Sequence, residues 1–271
     1  MSRRVLPGFG LSLSVTLVYL TVLLLIPLAA CIAKAFTLTF DEFWAAVWTD
    51  RARAAYAFTI GASFASAAAS VVLGLLIAWV LVRYEFPGKR ILDSLIDLPF
   101  ALPTAVAGLV YSSLYVEQGW LGQYLVPLGI HGAYSRFAVV LVLTFLGLPF
   151  VVRAIQPVLE SQEADAEEAA WLLGADRWQT FLRVVLPPLL PAAITGFALS
   201  FARAMGEYGS VVFVSGNMPF KTEIAPVLIV ARLEEFAYGE ATAIAVVLLA
   251  GSFVMLAVIN RLERWSSRWV G

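Results

Sequence analysis

Residues 161–188 read SQEADAEEAAWLLGADRWQTFLRVVLPP and lie between two long apolar stretches of the chain. The segment is polar enough to leave a membrane, yet its pattern is helical, and Ser161 is suited to cap a first short helix. Gly174 then interrupts the pattern, because glycine readily takes the left-handed conformation that ends a helix. Asp176, with Gln179 three residues later, predicts a capping box for a second short helix. The segment therefore predicts two short helices outside the membrane.

These two predicted helices carry surfaces that suit contact with another structure. Small and apolar residues recur at helical spacing: Ala166, Ala169, Ala170 and Leu173 in the first helix, and Trp178, Phe181, Leu182 and Val185 in the second. Pro187 and Pro188 are expected to stop the second helix. Two such short helices are poorly stable alone. The segment either lies on its own membrane domain or inserts into a partner's socket, and the pattern leaves both open.

The same region is strongly acidic. Six acidic residues against two basic ones give a net charge of −4: Glu160, Glu163, Asp165, Glu167, Glu168 and Asp176 against Arg177 and Arg183. Glu163 and Asp165 fall near the positive end of the first predicted helix, where they are expected to stabilise it.

The rest of the chain has the composition of a membrane protein. It is 61% hydrophobic and only 14% charged, with a mean hydropathy of +0.86. Six apolar stretches approach the roughly 20 residues that span a bilayer: residues 11–36, 58–82, 97–116, 137–158, 188–214 and 241–261. Since only helices satisfy their own backbone groups in lipid, all six are predicted to be helices. The third and fourth contain Pro99, Pro103 and Pro149, which are expected to kink them. The predicted fold class is all-α, with six transmembrane helices.

The flanking positive charges predict the orientation of these spans. Eleven Lys and Arg residues fall on one side: Arg3, Arg4, Arg83, Lys89, Arg90, Arg153, Arg177, Arg183, Arg261, Arg264 and Arg268. Six fall on the other: Lys34, Arg51, Arg53, Arg136, Lys221 and Arg232. Both termini are therefore predicted to be cytoplasmic, in the inner membrane of a bacterial cell.

The N-terminus also carries features of a removable signal. Arg3 and Arg4 resemble a twin-arginine signal, and residues 28–31 (LAAC) resemble a lipoprotein cleavage box that ends at Cys31. The apolar run from residue 11 to 36 is, however, longer than the roughly 7–15 residues of a signal core. We expect a retained first helix in which Cys31 is simply buried.

Several function classes are disfavoured by what the sequence lacks. The net charge of −1 offers no basic face for nucleic acid. One histidine, His131, and one cysteine, Cys31, give no metal-ligand set, and no G-x-x-x-x-G-K-[ST] motif is present. An intramembrane enzyme would need paired carboxylates or a Ser/His pair, whereas Glu207 is the only clear carboxylate deep in a predicted span. We therefore predict no catalytic residue, no metal and no cofactor bound by this chain.

The spacing within the 161–188 segment resembles the EAA loop of ABC-importer permeases. Glu168, Ala169 and Ala170 are followed by three residues, Gly174, nine residues, Val184, one residue and then Leu186 and Pro187. The family usually has isoleucine at the position of Val184. The resemblance implies the type I ABC importer permease fold and a dimer of ATPase subunits that uses ATP and receives the loop at residues 161–187. It assigns the coupling role to Glu168, Ala169, Ala170, Gly174, Leu186 and Pro187. A non-transporting scaffold would not need such a coupling element.

Two further stretches resemble the sulfate/thiosulfate and molybdate branch of that family. They are DLPFALPTAVAGLVY at residues 97–111 and FARAMGEYGSVVFVSGNMPFKTEIAP at residues 201–226, whose ending is most similar to the T-type subunit of the sulfate branch. The resemblance implies a permease domain at residues 57–262, preceded by the first span and an outer loop (1–56) and followed by a cytoplasmic tail (263–271). It also implies a second, similar permease in a heterodimer and a periplasmic sulfate/thiosulfate-binding protein. A homodimeric permease for molybdate or another oxyanion is the alternative.

One basic residue falls deep inside a predicted span. Arg203 lies about thirteen residues into the fifth stretch, near the middle of the bilayer at roughly 1.5 Å per residue, and Glu207 follows one helical turn later. Arg203 is either an anion site in the pathway or half of an internal ion pair, and we favour the pair because a paired arginine presents no net charge. Tyr208 and Ser210 complete this candidate pathway or gate, with the Ser210 hydroxyl offered to the path. Asp97, at the start of the third stretch, is expected to be a cap or interface residue.

Overall fold

The computed structural model describes residues 8–162 and 164–267, and in these ranges every regular element is helical. In chain order the helices are α1 (Phe9–Ala35), α2 (Phe40–Val47), α3 (Asp50–Arg83), α4 (Lys89–Ile96), α5 (Leu98–Ala101), α6 (Thr104–Tyr115), α7 (Gly122–Leu125), α8 (Arg136–Glu160), α9 (Ala164–Leu172), α10 (Arg177–Met205), α11 (Val211–Val214), α12 (Ala225–Glu234) and α13 (Tyr238–Ser267). A short 3₁₀ turn, Val126–Leu128, follows α7. Four residues used in the sequence analysis lie outside the described residues: Arg3, Arg4, Glu163 and Arg268.

Five of these helices are long and apolar enough to cross a membrane: α1, α3, α8, α10 and α13. The prediction of an all-helical, multi-pass membrane protein is confirmed by them. Helix α1 exposes nearly all of its apolar side chains, which suits a helix surrounded by lipid. The count of six spans is not confirmed, because the third predicted span does not form one long helix.

The third predicted span, residues 97–116, is broken in its first half, at Leu102. Helix α5 ends at Ala101, Leu102 is extended with ψ 132°, and α6 begins at Thr104. Proline disfavours helical backbone in the residue before it, so Pro103 forces Leu102 out of the helix. The prediction of a single kinked helix is therefore wrong, and the twelve residues of α6 extend only about 18 Å.

The fifth predicted span has different ends from those expected at residues 188 and 214. Helix α10 runs continuously from Arg177 to Met205, so the second loop helix and the span are one element and Pro187 does not stop it. A widened π-type turn at Phe181–Val185 precedes the prolines. Because proline lacks an N–H and its ring crowds the preceding turn, the wider turn makes room for the ring. At the far end the chain leaves the helix at Gly206.

The core is formed where α3, α8 and α10 pack against one another. Glycines bring these helices close together. A Cβ at Gly147 would lie 2.1 Å from the Ser200 hydroxyl oxygen, and one at Gly196 would lie 2.9 Å from the Cα of Val151. Helix α13 packs on α10 and α12, and the second half of α1 packs on α13. The first and last long helices, α1 and α13, are thus attached to the three central helices through the contact of α13 with α10.

Candidate functional site

The joint between α9 and α10 has the predicted geometry. Gly174 has φ +86°, and its N–H donates to the Trp171 carbonyl at 2.9 Å while the Ala175 N–H donates to the Ala170 carbonyl at 3.0 Å. This pair of bonds is the Schellman closure of a helix, in which glycine occupies the left-handed position. The predicted capping box is also present, since the Gln179 N–H donates to Asp176 at 2.8 Å and the Asp176 N–H donates to Gln179 at 3.2 Å.

One face of this loop is fixed to the membrane helices. Arg83, the last residue of α3, forms an ion pair with Glu167 of α9, and both side chains are largely buried. The Arg83 guanidinium also lies 5.6 Å from the centre of the Trp79 ring. The Trp79 and Phe181 rings are nearly perpendicular, with their centres 5.6 Å apart. The sequence analysis missed this anchor because Arg83 and Glu167 are 84 residues apart. The interpretation that the loop packs on its own membrane domain therefore holds for this face.

The end of α9 and the first turn of α10 carry large apolar side chains that are exposed. Leu172 and Leu173 are 90% and 88% exposed, and Trp171 and Trp178 are more than half exposed. We call these four residues the docking surface. Contiguous exposed apolar side chains mark a contact site in most proteins. The predicted coupling residues differ in exposure: Glu168, Ala169 and Gly174 are exposed, and Ala170, Leu186 and Pro187 are half-buried.

The candidate pathway residues form a closed, neutral cluster at the end of α10. Glu207 is 2% exposed, and one of its carboxylate oxygens pairs with Arg203. Its other oxygen accepts from the Ser210 N–H at 2.8 Å and from the Ser210 hydroxyl at 3.0 Å. The predicted Arg203–Glu207 pair is thus present, and the Ser210 hydroxyl is buried and donates to Glu207. Tyr208 is half-buried against the apolar cluster that contains Val139.

The span predicted at residues 188–214 ends sooner than expected, so Arg203 is not in the middle of a continuous helix. Arg203 is in the last turn of α10, which ends two residues later at Met205. The turn that follows is pressed against α6: a Cβ at Gly108 would lie 2.3 Å from the Ser210 carbonyl oxygen, and one at Gly209 would lie 2.3 Å from the Thr104 hydroxyl. The ion pair therefore closes the end of a helix and holds the following turn in place.

Asp97 lies at an interface, as expected. The Arg153 guanidinium of α8 donates to both oxygens of Asp97, at 3.0 and 2.6 Å, and to a carboxylate oxygen of Asp93 at 2.7 Å. The two acidic side chains belong to the segment of α4 and α5. This cluster joins the broken third segment to the central helix α8.

The loop at residues 215–224 is held by two arginines of the predicted outer face. Arg51 donates to both oxygens of Glu223, at 2.8 and 2.6 Å, and Glu223 is 4% exposed. Arg136 donates to the Lys221 carbonyl at 2.7 Å. Within the loop, Asn217 has φ 50° and its side-chain amide donates to the Val212 carbonyl at 3.0 Å. The segment that resembles the sulfate branch is thus a compact, tied loop.

Comparisons with known proteins agree with this arrangement. Residues 70–270 match the family described as binding-protein-dependent transport system inner membrane component. The sulfate transport system permease protein CysT of Synechocystis sp. is 49% identical over 94% of this chain and 89% of that protein. The protein of the same name from Escherichia coli (strain K12) is 46% identical over 100% of this chain and 98% of its own length. A bacterial alginate ABC transporter crystallised with an alginate-bound periplasmic protein has the same fold, with a TM-score of 0.78, 18% identity, and coverage of 94% of this chain and 93% of that one.

Proposed function

Because the chain belongs to the family of binding-protein-dependent transport system inner membrane components, we propose that it is the permease subunit of an ATP-driven sulfate importer. The observation that carries the proposal is the near full-length similarity to sulfate transport permeases, at 49% identity over 94% of the chain. The permease domain is assigned to residues 57–262, and thiosulfate is proposed as a second substrate.

The physical task of such a subunit is to give a dianion a path through lipid. A bare dianion cannot enter hydrocarbon, so along its path it must keep its water or meet charged and hydrogen-bonding groups. The path must also open to one side at a time. We assign one half of that path to this chain and the other half to a second, similar permease in a heterodimer. A periplasmic binding protein supplies most of the affinity for sulfate. ATP is bound by a separate pair of ATPase subunits, so this chain needs no cofactor of its own.

The continuous helix α10 suggests how ATP-driven movement reaches the path. Its first turn carries Trp178 of the docking surface, and its last turn carries Arg203 of the ion pair with Glu207. Its 29 residues extend about 43 Å at roughly 1.5 Å per residue. A displacement at the docking surface is therefore carried by one helix to the turn at residues 206–210. The Arg83–Glu167 pair ties α9, which precedes this helix, to α3.

Docking is tested by adding a charge to the exposed leucines. In a Leu172→Asp, Leu173→Asp double variant, the ATPase subunits should no longer co-purify with the permease, because a charge buried at an apolar interface costs several kcal/mol. Leu128→Asp is the matched control, since Leu128 is 73% exposed but lies in an outer loop. Normal co-purification of the double variant would show that the ATPase binds elsewhere.

The substrate is tested by uptake of labelled sulfate in cells that express the whole system. Uptake should depend on this chain, and unlabelled thiosulfate should compete while molybdate should not. If molybdate competes as well as sulfate does, the chain is a permease for another oxyanion. No uptake of labelled sulfate, with all subunits present in the membrane, would overturn the proposed function.

A further inference from the structure

Arg136, the first residue of α8, differs from the other arginines of the predicted outer face. Each of the others has a carboxylate partner: Arg51 pairs with Glu223, Arg53 with Asp50, and Arg232 with Glu235 and Glu240. Arg136 donates only to backbone carbonyls, from Nε to Lys221 at 2.7 Å and from Nη2 to Phe220 at 3.4 Å. Carbonyl oxygens carry no net charge, and no described carboxylate pairs with Arg136. Its positive charge is therefore not neutralised.

An open groove of about 410 Å³ lies beside this guanidinium, between α3, α8 and the 215–224 loop. Its walls are small or apolar and include Ala57, Gly61, Val140 and Phe220, and none of the described side chains that line it is acidic. A Cβ at Gly61 would meet no atom within 4 Å, so the groove has free space beside this residue. Low-polarity walls strengthen the field of a single charge placed at their edge.

We propose that this groove binds the transported oxyanion, a tetrahedral dianion, with Arg136 as its anion-binding residue. This inference rests on the proposed function and names the site in this chain at which the anion is held. A guanidinium has five N–H donors, and Arg136 uses two of them on the loop. The remaining donors suit the oxygens of a tetrahedral anion, because charge-assisted bonds to such anions are among the strongest hydrogen bonds in proteins.

Arg203 does not compete for this role in the structure. Its charge is neutralised by Glu207, whose second oxygen is satisfied by Ser210. An anion that approached Arg203 would have to displace a buried carboxylate, whereas no described carboxylate pairs with Arg136. Arg136 is therefore a better anion site than Arg203, because the charge of Arg203 is already paired with Glu207.

The first test measures sulfate uptake by the complete transporter, reconstituted in vesicles. Arg136→Gln should lower uptake at low sulfate concentration about tenfold, the loss expected for one charge-assisted hydrogen bond. Arg136→Lys should retain part of the activity, because it keeps the charge. Arg53→Gln is the matched control, since Arg53 lies on the same face, pairs with Asp50 and does not line the groove. Equal uptake by the Arg136→Gln and Arg53→Gln variants would overturn the inference.

The second test measures binding rather than transport, and separates an anion site from a merely structural arginine. In a Cys31→Ser, Ala57→Cys variant of the assembled transporter, a negatively charged thiol reagent should modify the introduced thiol, and sulfate should slow the reaction more than chloride at equal ionic strength. Adding Arg136→Gln should remove this protection.

The outcomes of the second test are decisive in both directions. An introduced thiol that is inert in the complex would show that lipid or the second permease covers the groove, and would overturn the inference. Protection that survives Arg136→Gln would do the same. A parent transporter that takes up no sulfate would instead overturn the proposed function, whatever the behaviour of the introduced thiol.

Discussion

Glu207 illustrates how a single buried charge is held in this molecule. Removing a carboxylate from water costs several kcal/mol unless it is paired and hydrogen-bonded. Glu207 meets both conditions, because Arg203 pairs with one oxygen while the N–H and hydroxyl of Ser210 donate to the other. Arg203 itself is about one-third exposed, with 35% of its side chain accessible. The two side chains therefore differ in exposure to solvent, and Glu207 depends on its partner more than Arg203 does.

This inequality predicts the effect of neutralising each residue. Arg203→Gln should destabilise the chain by about 2 kcal/mol, because it leaves a buried carboxylate without its cation. Glu207→Gln should cost less, since the amide oxygen still accepts from Ser210 and the arginine reaches solvent. Thermal unfolding of the purified variants in detergent measures both effects.

The double variant Arg203→Gln, Glu207→Gln separates a structural pair from an anion site. It should recover most of the stability that Arg203→Gln loses, and it should retain part of the sulfate uptake, because it buries no charge. A stable, fully inserted double variant with no uptake at all would instead assign a direct anion-binding role to Arg203.

At the scale of elements, the joint at Gly174 sets the direction of α9 relative to α10. The Schellman closure and the Asp176 capping box end one helix and begin the next within four residues. The Arg83–Glu167 pair then fixes α9 on the end of α3. The docking surface is thus oriented by backbone conformation on one side and by an ion pair on the other.

A β-branched residue at this joint should uncouple the transporter. Gly174→Val places a branched side chain at φ +86°, which costs about 1–2 kcal/mol or more for an L-residue. Because a Cβ there meets no atom within 4 Å, the variant is expected to turn α9 rather than clash. Uptake and transport-linked ATP hydrolysis should be lost while the amount of chain in the membrane is unchanged.

Gly251→Val is the matched control for this prediction. Gly251 lies inside α13, its φ is not positive, and a Cβ there also meets no atom within 4 Å. This control should keep most of the uptake. If Gly174→Val transports normally, the geometry of the joint has no part in coupling.

At the scale of the whole molecule, the number of membrane crossings depends on the segment from α4 to α6. Within residues 8–162 and 164–267, five long helices qualify as spans. The segment from α4 to α6 is divided by the extended residue Leu102. The distribution of Lys and Arg predicts that the two ends of this segment lie on opposite sides. A broken segment is compatible with a membrane when its free backbone groups are covered by protein, and α6 is covered in part by α11.

Labelling of single cysteines tests this topology. In a Cys31→Ser background, Leu128→Cys should react with an impermeant thiol reagent added outside the cell, because Leu128 follows the segment and is exposed. Arg90→Cys, before the segment, should react only after the membrane is permeabilised. Labelling of both variants from the same side would show that the third segment does not cross.

The features that the sequence determined by itself are local ones. Membrane helices follow from the length and composition of apolar runs. The joint at Gly174 follows from the backbone freedom of glycine and from the capping box of Asp176 and Gln179. The break before Pro103 was also within reach of local rules, since proline restricts the residue before it. Local rules did not predict the start of α10, because a widened turn allows the helix to continue through its prolines.

Only the tertiary structure decided which charges are neutralised and which remain available. Arg51 and Glu223 are 172 residues apart in the chain, and Arg83 and Glu167 are 84 apart, so neither pair has a signature in local spacing. Composition counts Arg136 and Arg203 as equal charges. Local spacing predicts a carboxylate beside Arg203, but only the packing of α8 against the 215–224 loop shows that Arg136 donates to carbonyl oxygens and has no described carboxylate partner. The electrostatic difference between the two arginines is thus a property of the folded molecule, because the energy of a charge depends on its neighbours in space.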